Sequence, residues 1–288
     1  MGVALDGRGA LRASAHLGPH GARDRAGLSA AHRLDERALA GLGVNPFAGA
    51  HTVLFVHAHP DDETLSSGGL ILWLVERGVR VHLLTATRGE RGEVVPALRD
   101  RAGGDRAALT GIRIDELARA ARALGITDAR YLGEPPARAE DLPPRRYLDS
   151  GMRWITPTVA GPVDDAPVDA LTRAPEAEVA ADVLAYVQHV APDLVISYDD
   201  QGGYGHPDHR FIRAAALAAS RTAGVPFVEL VEPDAAGAFV VDSSDRLGAV
   251  KDALRAHATQ LTVDGGDVVH SGGQREPIRT AVGVRLVP

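Results

Sequence analysis

From Thr52 onward the chain alternates short apolar runs with longer stretches of helical period. TVLFVH (52–57), VHLLTAT (81–87), ARYLG (129–133), PDLVISY (192–198) and VPFVELV (225–231) read as strands. Each is short, rich in β-formers and bounded by Gly, Pro or charge. TLSSGGLILWLVERG (64–78) is apolar on most faces and reads as a buried helix. Segment 106–124 places Leu109, Leu117, Ala121 and Leu124 in one stripe, and 176–190 does the same with Val179, Val183 and Val187. Segments 210–224 and 244–261 read as further helices, and the tail as weak strands. Strands alternating with helices predict an α/β, Rossmann-like fold, a mostly parallel sheet with helices on both faces. Ligands of such sheets bind beyond the carboxyl ends of the strands, so the active site is expected there.

Two stretches break this rhythm. Residues 1–50 are rich in Gly, Ala, Arg and His without a clean period, and are expected to form a disordered extension ahead of one domain over 51–288. His16, His20 and His32 in it read as solvated. Residues 134–175 carry many prolines and read as an irregular insertion, too long for a plain connection.

Composition narrows the chemistry. Of 288 residues, none is cysteine, which removes thiolate nucleophiles, disulfides and Cys-type zinc sites. The remaining metal ligands are His, Asp and Glu. A net charge of −7 gives no nucleic-acid footprint. No run approaches the ~18 apolar residues of a membrane span, and the first thirty residues lack a signal-peptide core. A cytoplasmic protein with no membrane or nucleic-acid partner is expected; oligomeric state is open.

The turn after the first strand reads HAHPDDE (57–63) and sets Asp61 beside Asp62. A helix start would explain it: Pro suits a first turn, and Asp caps it. A second loop, GGYGHPDH (202–209), repeats HPD after another apolar strand and before another helix. Chance supplies one HPD in roughly one chain in twenty at this composition, so a pair in equivalent places points to shared chemistry. His59, Asp61, Asp62, His206, Asp208 and His209 then share one rim of the sheet. Two histidines and a carboxylate make a catalytic metal set, with a second carboxylate to take a proton from the attacking water. No G-x-S-x-G elbow offers a serine alternative.

VHAHPDDE, TRGERGEV, YDDQGGYGHPDH and RAHATQ together resemble the LmbE/PIG-L family of zinc-dependent de-N-acetylases, over about 52–260. DETLSSGG, DSGM (149–152) and GYGHPDH look most like its mycothiol-biosynthesis branch, which deacetylates N-acetylglucosaminyl-inositol. The resemblance implies that His59, Asp62 and His209 hold Zn2+, with Fe2+ possible. It makes Asp61 the general base, and His206 the general acid or a cationic stabiliser. Asp208 would orient His206, and Tyr204 would hydrogen-bond the oxyanion. Arg113, an arginine in the 106–124 stripe, would bind sugar or simply snorkel. Asp149 would bind sugar hydroxyls, and Ser66 would touch substrate or pack. The implied partner is a small N-acetylated amino sugar. Glu90 and Glu93 read as groups supporting the site from behind, rim groups or solvated loop residues, His57 as a core histidine or a support behind the ligands, His82 as structural, and His257 as structural or pocket-lining.

Other readings stay open. A mycothiol-conjugate amidase tends to carry a lysine soon after HPDDE and a proline before the second HPDH, where this chain has Thr64–Ser67 and Gly205. An amino-sugar deacetylase of secondary metabolism and a non-catalytic metal-binding relative are further options. A nucleotide-binding module predicts G-x-G-x-x-G after the first strand, where HAHPDD stands instead.

Overall fold

The computed structural model describes residues 45–102 and 105–288. Residues 1–44, most of the expected extension, lie outside them. Asn45–Ala50 form a turn that buries Phe47 against Trp73 and Phe239, with ring centroids 5.8 and 6.4 Å away.

β1 (Thr52–His57) passes through the HPDDE turn into α1 (Asp62–Leu65) and α2 (Gly68–Val75), followed by β2 (Arg80–Thr85). The RGERGEV loop leads to α3 (Arg99–Ala102), α4 (Arg106–Leu124) and β3 (Asp128–Tyr131). The proline-rich insertion carries a hairpin, β4 (Arg153–Thr156) and β5 (Val159–Gly161). Then come α5 (Glu176–Val190), β6 (Leu194–Tyr198), α6 (Pro207–Ala223), β7 (Phe227–Val231), β8 (Phe239–Asp242) and α7 (Leu247–Leu254). β9 (Leu261–Asp264), β10 (Asp267–His270), β11 (Arg275–Pro277) and β12 (Ala281–Val287) close the chain.

The main sheet runs β3-β2-β1-β6-β7-β12-β8. The first five are parallel, and β12 is antiparallel to both neighbours. The fold is thus α/β with a mostly parallel sheet. Apolar clusters cover both faces: Phe55, Leu70, Ile71 and Leu117 belong to one, and Leu54, Val56, Val183 and Ile212 to the other. Winding reverses between β1 and β6, which opens a crevice at their carboxyl ends. Both HPD turns leave the sheet there.

Helix ends follow local chemistry. Asp105 caps α4 by accepting from Ala107 N at 2.8 Å, and Gly125 at φ 73° ends it. The single helix expected over 64–78 is instead split. Ser67 leaves helical geometry at φ −139° and donates Oγ to the Glu63 carbonyl at 2.9 Å. The expected helix over 244–261 is mainly α7, because His257, Thr259 and Gln260 beyond it turn inward to buried partners. The tail is a full strand of the main sheet plus a three-stranded antiparallel sheet.

The insertion is tied to α5 through Asp182. Its carboxylate accepts from Arg138 Nη1 (2.8 Å), Tyr147 Oη (2.7 Å) and Ala139 N (2.8 Å), all buried or nearly so. β5 reaches the second HPD loop, where Ala160 N donates to the Tyr204 carbonyl at 2.8 Å. Among the described residues, no helix is long and apolar enough to cross a membrane.

Candidate metal centre and active site

Three donor groups meet at the crevice. His59 Nδ1 lies 3.3 Å from His209 Nε2 and 3.4 Å from Asp62 Oδ2, and His209 Nε2 lies 3.3 Å from Asp62 Oδ1. Hydrogen bonds alone would draw such atoms toward about 2.7–3.2 Å. Ligands about 2.0–2.1 Å from a tetrahedral ion sit about 3.3–3.4 Å apart, the spacing found here.

The atoms turned away from this point fix the tautomers. His59 Nε2 lies 3.1 Å from Asp208 Oδ2, and His209 Nδ1 lies 3.2 Å from the Gly202 carbonyl. Each ring therefore gives its N–H outward and its lone pair inward, as metal-ligating histidines do. Asp62 Oδ2 accepts from His59 N at 2.9 Å and from Tyr198 Oη at 2.7 Å. Burial opposes charge on Asp62, but His209 and His59 hold its pKa well below the ordinary range. Burial likewise opposes charge on His59, while Asp149, Asp208 and Asp62 hold it well above its usual value. The donor set fits a divalent metal. His206 also brings a ring nitrogen within 4.8 Å of the other two histidines.

Asp61 stands beside this set with a different job. It occupies the N-cap position of α1, yet its side chain makes no capping hydrogen bond. Helix capping therefore does not account for it. Its backbone sits at φ 111°, a conformation costing a non-glycine residue about 1–3 kcal/mol. Burial, then the charge of Asp62, pushes its carboxyl up to about 7. Such a value suits a general base near neutral pH.

The second loop departs from expectation at Asp208. Its carboxylate goes to His59 and to Ser150 N (2.9 Å), and only its backbone N–H reaches His206, donating to Nδ1 at 3.1 Å. Neighbours along the chain share the helix start, whereas the carboxylate points across the crevice. His206 is lowered to about 2 by burial, then by His59 and His209. Its Nδ1 accepts, so the neutral ring carries its proton on Nε2. Tyr204 is exposed at the rim, its ring 5.2 Å from that of His209 and nearly perpendicular to it.

The sugar-binding candidates scatter. Asp149 Oδ1 comes within 3.7 Å of His59 Nε2, but its carboxylate also accepts from Gly151 N (2.7 Å) and Arg91 N (3.1 Å). Arg113 is buried and donates to the carbonyls of Gly89, Gly92 and Glu93. A Cβ on Gly92 would crowd the Arg113 guanidinium, so a larger residue there would push it off these carbonyls. A buried guanidinium needs acceptors, and the RGERGEV loop supplies them. Ser66 lines a separate small cavity with Glu276, Pro277 and Ile278, and meets the metal donors only through its backbone N–H, which donates to the Asp62 carbonyl at 2.9 Å. A larger cavity of about 200 Å³ adjoins Asp149, lined by Glu90, Arg91, Arg106, Thr110 and Arg146.

Sequence reasoning missed Tyr198 as a site residue. Its ring lies parallel to His209 at 4.1 Å, and its hydroxyl accepts from Ala58 N (2.7 Å) while donating to Asp62. The signal was an aromatic residue ending the strand before the second loop. Tyr198→Phe is expected to weaken metal binding about 10–100-fold, as loss of a partner behind a ligand does. Competition titration against a chelating dye would measure it, and unchanged affinity would refute the role.

Glu90, left by the sequence between a supporting group, the rim and solvent, is buried and accepts from Arg88 N, Asp149 N and Arg146. His57 is buried, lowered to about 4 by that burial, with Nε2 3.2 Å from Ser67 Oγ.

Residues 54–220 match the PIG-L family model, described as GlcNAc-PI de-N-acetylase. A Kineococcus radiotolerans protein named 1D-myo-inositol 2-acetamido-2-deoxy-alpha-D-glucopyranoside deacetylase is 36% identical over an alignment of 312 residues, covering 91% of this chain and 80% of its own. An Acidothermus cellulolyticus protein of the same name is 37% identical over 252 residues, covering 74% and 81%. Among solved structures, N,N'-diacetylchitobiose deacetylase from Pyrococcus horikoshii shares the fold at a TM-score of 0.55 and 24% identity, over 80% of this chain and 78% of that one. By family match and by these relatives, the chain belongs to the PIG-L, or LmbE-like, de-N-acetylase family.

Proposed function

We propose that this protein hydrolyses the acetamide of N-acetylglucosaminyl-inositol in mycothiol biosynthesis, releasing acetate and a free amine. The observation that carries the reading is the triad of donor groups, two imidazole nitrogens 3.3 Å apart and each 3.3–3.4 Å from one oxygen of the Asp62 carboxylate, with a carboxylate beside it that makes no cap. The name shared by relatives covering most of the chain supplies the substrate. His59, Asp62 and His209 would hold the metal, zinc first and ferrous iron second, since this donor set suits both. When bound, a divalent ion lowers the pKa of water from 15.7 toward about 7 and polarises a carbonyl oxygen.

The chain's own groups do the rest. Asp61 takes a proton from the attacking water. Tyr204, a neutral phenol at the rim, donates to the oxyanion of the tetrahedral intermediate. His206 is better placed as a neutral donor from Nε2 than as an imidazolium, because burial and two neighbouring histidines disfavour its charge. The proton for the leaving amine then returns from Asp61. Asp208 acts on His59, holding the ring that carries Nδ1. Asp149 and the cavity beside it, with Arg91, Arg106, Arg146 and Thr110, offer polar groups to a hydroxyl-rich inositol. Arg113 contributes by shaping the loop that borders that cavity.

The test is acetate release from N-acetylglucosaminyl-inositol by the purified, metal-loaded chain. Release at a rate well above chelated protein is expected. No release from folded, metal-loaded protein would overturn the inositol reading and turn the test to mycothiol conjugates and other acetylated amino sugars.

A further inference from the structure

RAHATQ (255–260) reaches the active-site turn from almost 200 residues away. Gln260 Nε2 donates to the Pro60 carbonyl at 2.8 Å. Asp61 N donates to Glu63 Oε2 at 3.0 Å. These two bonds hold the two ends of one peptide unit, the one joining Pro60 to Asp61. The orientation of that unit sets φ at Asp61, which lies at 111°.

A glutamate reaching back to an N-cap N–H is also an ordinary helix device. An ordinary cap, however, stands in solvent. Glu63 is 0% exposed, and its second oxygen is 2.7 Å from His257 Nε2 and 2.5 Å from Thr64 Oγ1. His257 is likewise 0% exposed, and its Nδ1 lies 3.4 Å from Gln260 Nε2. The cap is thus locked by a buried Glu63–His257 hydrogen bond, and the same turn of chain grips the other end of the peptide. A four-residue helix does not need this much support.

We propose that Glu63, His257 and Gln260 form a clamp on the Pro60–Asp61 peptide, and that its purpose is to aim the Asp61 carboxylate. They are positioning residues: none lines the cavity beside Asp149, and they act through the backbone of the base. The inference rests on Asp61 being the base of the proposed hydrolysis. The clamp keeps a left-handed backbone where relaxation would swing the carboxylate away from the attacking water. Misplacement of a reacting group by about 1 Å can cost about 100-fold in rate.

The experiment compares Glu63→Ala, Glu63→Gln, Gln260→Ala and the Glu63→Ala/Gln260→Ala pair in the full chain, each with metal content by elemental analysis. Glu63→Ala is expected to lower kcat about 30-fold and Gln260→Ala about 10-fold, with KM and metal content near wild type. Glu63→Gln keeps an acceptor for Asp61 N and recovers most of the rate. The double variant should fall no further than Glu63→Ala, because both changes free the same peptide. Crystal structures of the variants give a readout independent of turnover: φ of Asp61 leaves the positive region. If Glu63→Ala does not fold, Gln260→Ala carries the test. Wild-type kcat in the folded variants, activity lost only in step with metal, or an Asp61 φ still near its wild-type value would overturn the clamp. Wild-type protein that releases no acetate sinks the functional reading instead, and the crystal structures still decide the clamp.

Discussion

Asparagine in place of Asp61 is expected to lower kcat for acetate release about 10³-fold while one equivalent of metal stays bound. General bases typically contribute about 10²–10⁴-fold, and among the described residues the other carboxylates near the metal donors are each committed to other partners, Asp208 to His59 and Ser150 N. Asp62 is engaged by His59 N and Tyr198, and Asp149 by Gly151 N and Arg91 N. The same substitution should stabilise the metal-free protein, with a definite sign in pH. Asp61 is raised to about 7 in the fold, by burial and then by Asp62. A raised group favours folding fully below its unfolded pKa, near 3.9, and loses that contribution as pH rises through its folded value. Above pH 7 the charged Asp61 therefore strains the metal-free fold, and Asn removes the strain. After discounting for solvent screening, roughly 2 kcal/mol is expected, or about 4–8 °C in Tm at pH 8. Near pH 4 the difference should vanish. Calorimetry at both pH values checks the sign. A variant that keeps wild-type kcat would remove Asp61 as the base.

What the sequence revealed and what it hid divide along the distance between interacting residues. The helices over 106–124 and 176–190 match their expected bounds, since stripe, cap and stop signals all lie inside a few turns of chain. His59, Asp61, Asp62, His206, Asp208 and His209 were legible because two short turns carry them and a parallel sheet brings such turns to one edge. Pairing across the fold was hidden. Asp208 was assigned to His206, two residues away, while its carboxylate contacts His59, 149 residues away. Arg113 was left between binding sugar and snorkelling, and the carbonyls it meets in the fold lie 20 to 24 residues upstream. The place of β12 between β7 and β8 depends on hydrogen bonds that no local pattern encodes. Tyr198 was seen as part of a strand and not as a partner of Asp62, for the same reason.

Removing the metal should have the largest effect of all. Dialysis against a strong chelator is expected to bring acetate release to less than about one thousandth of the starting rate, and stoichiometric zinc to restore it. Asp61, Tyr204 and His206 would remain in place, but without Lewis acidity the water has no route to a nucleophile near pH 7. Stability should fall with activity. A site held at about 1,000 times its Kd contributes about 4 kcal/mol, which for a domain of this size is roughly 8–16 °C in Tm. Affinity should also depend on pH, and the sign follows from His59. Asp149, Asp208 and Asp62 hold its proton well above the ordinary pKa in the metal-free state, so binding must displace that proton. Metal affinity then falls about tenfold for each pH unit lowered through that range. Asp62→Asn takes away the carboxylate that both histidines face, and should lose metal even at neutral pH. Titrations at several pH values with wild type and Asp62→Asn separate these effects. A chelated, folded protein that still releases acetate at the full rate would show that His59, Asp62 and His209 serve the fold and not the reaction.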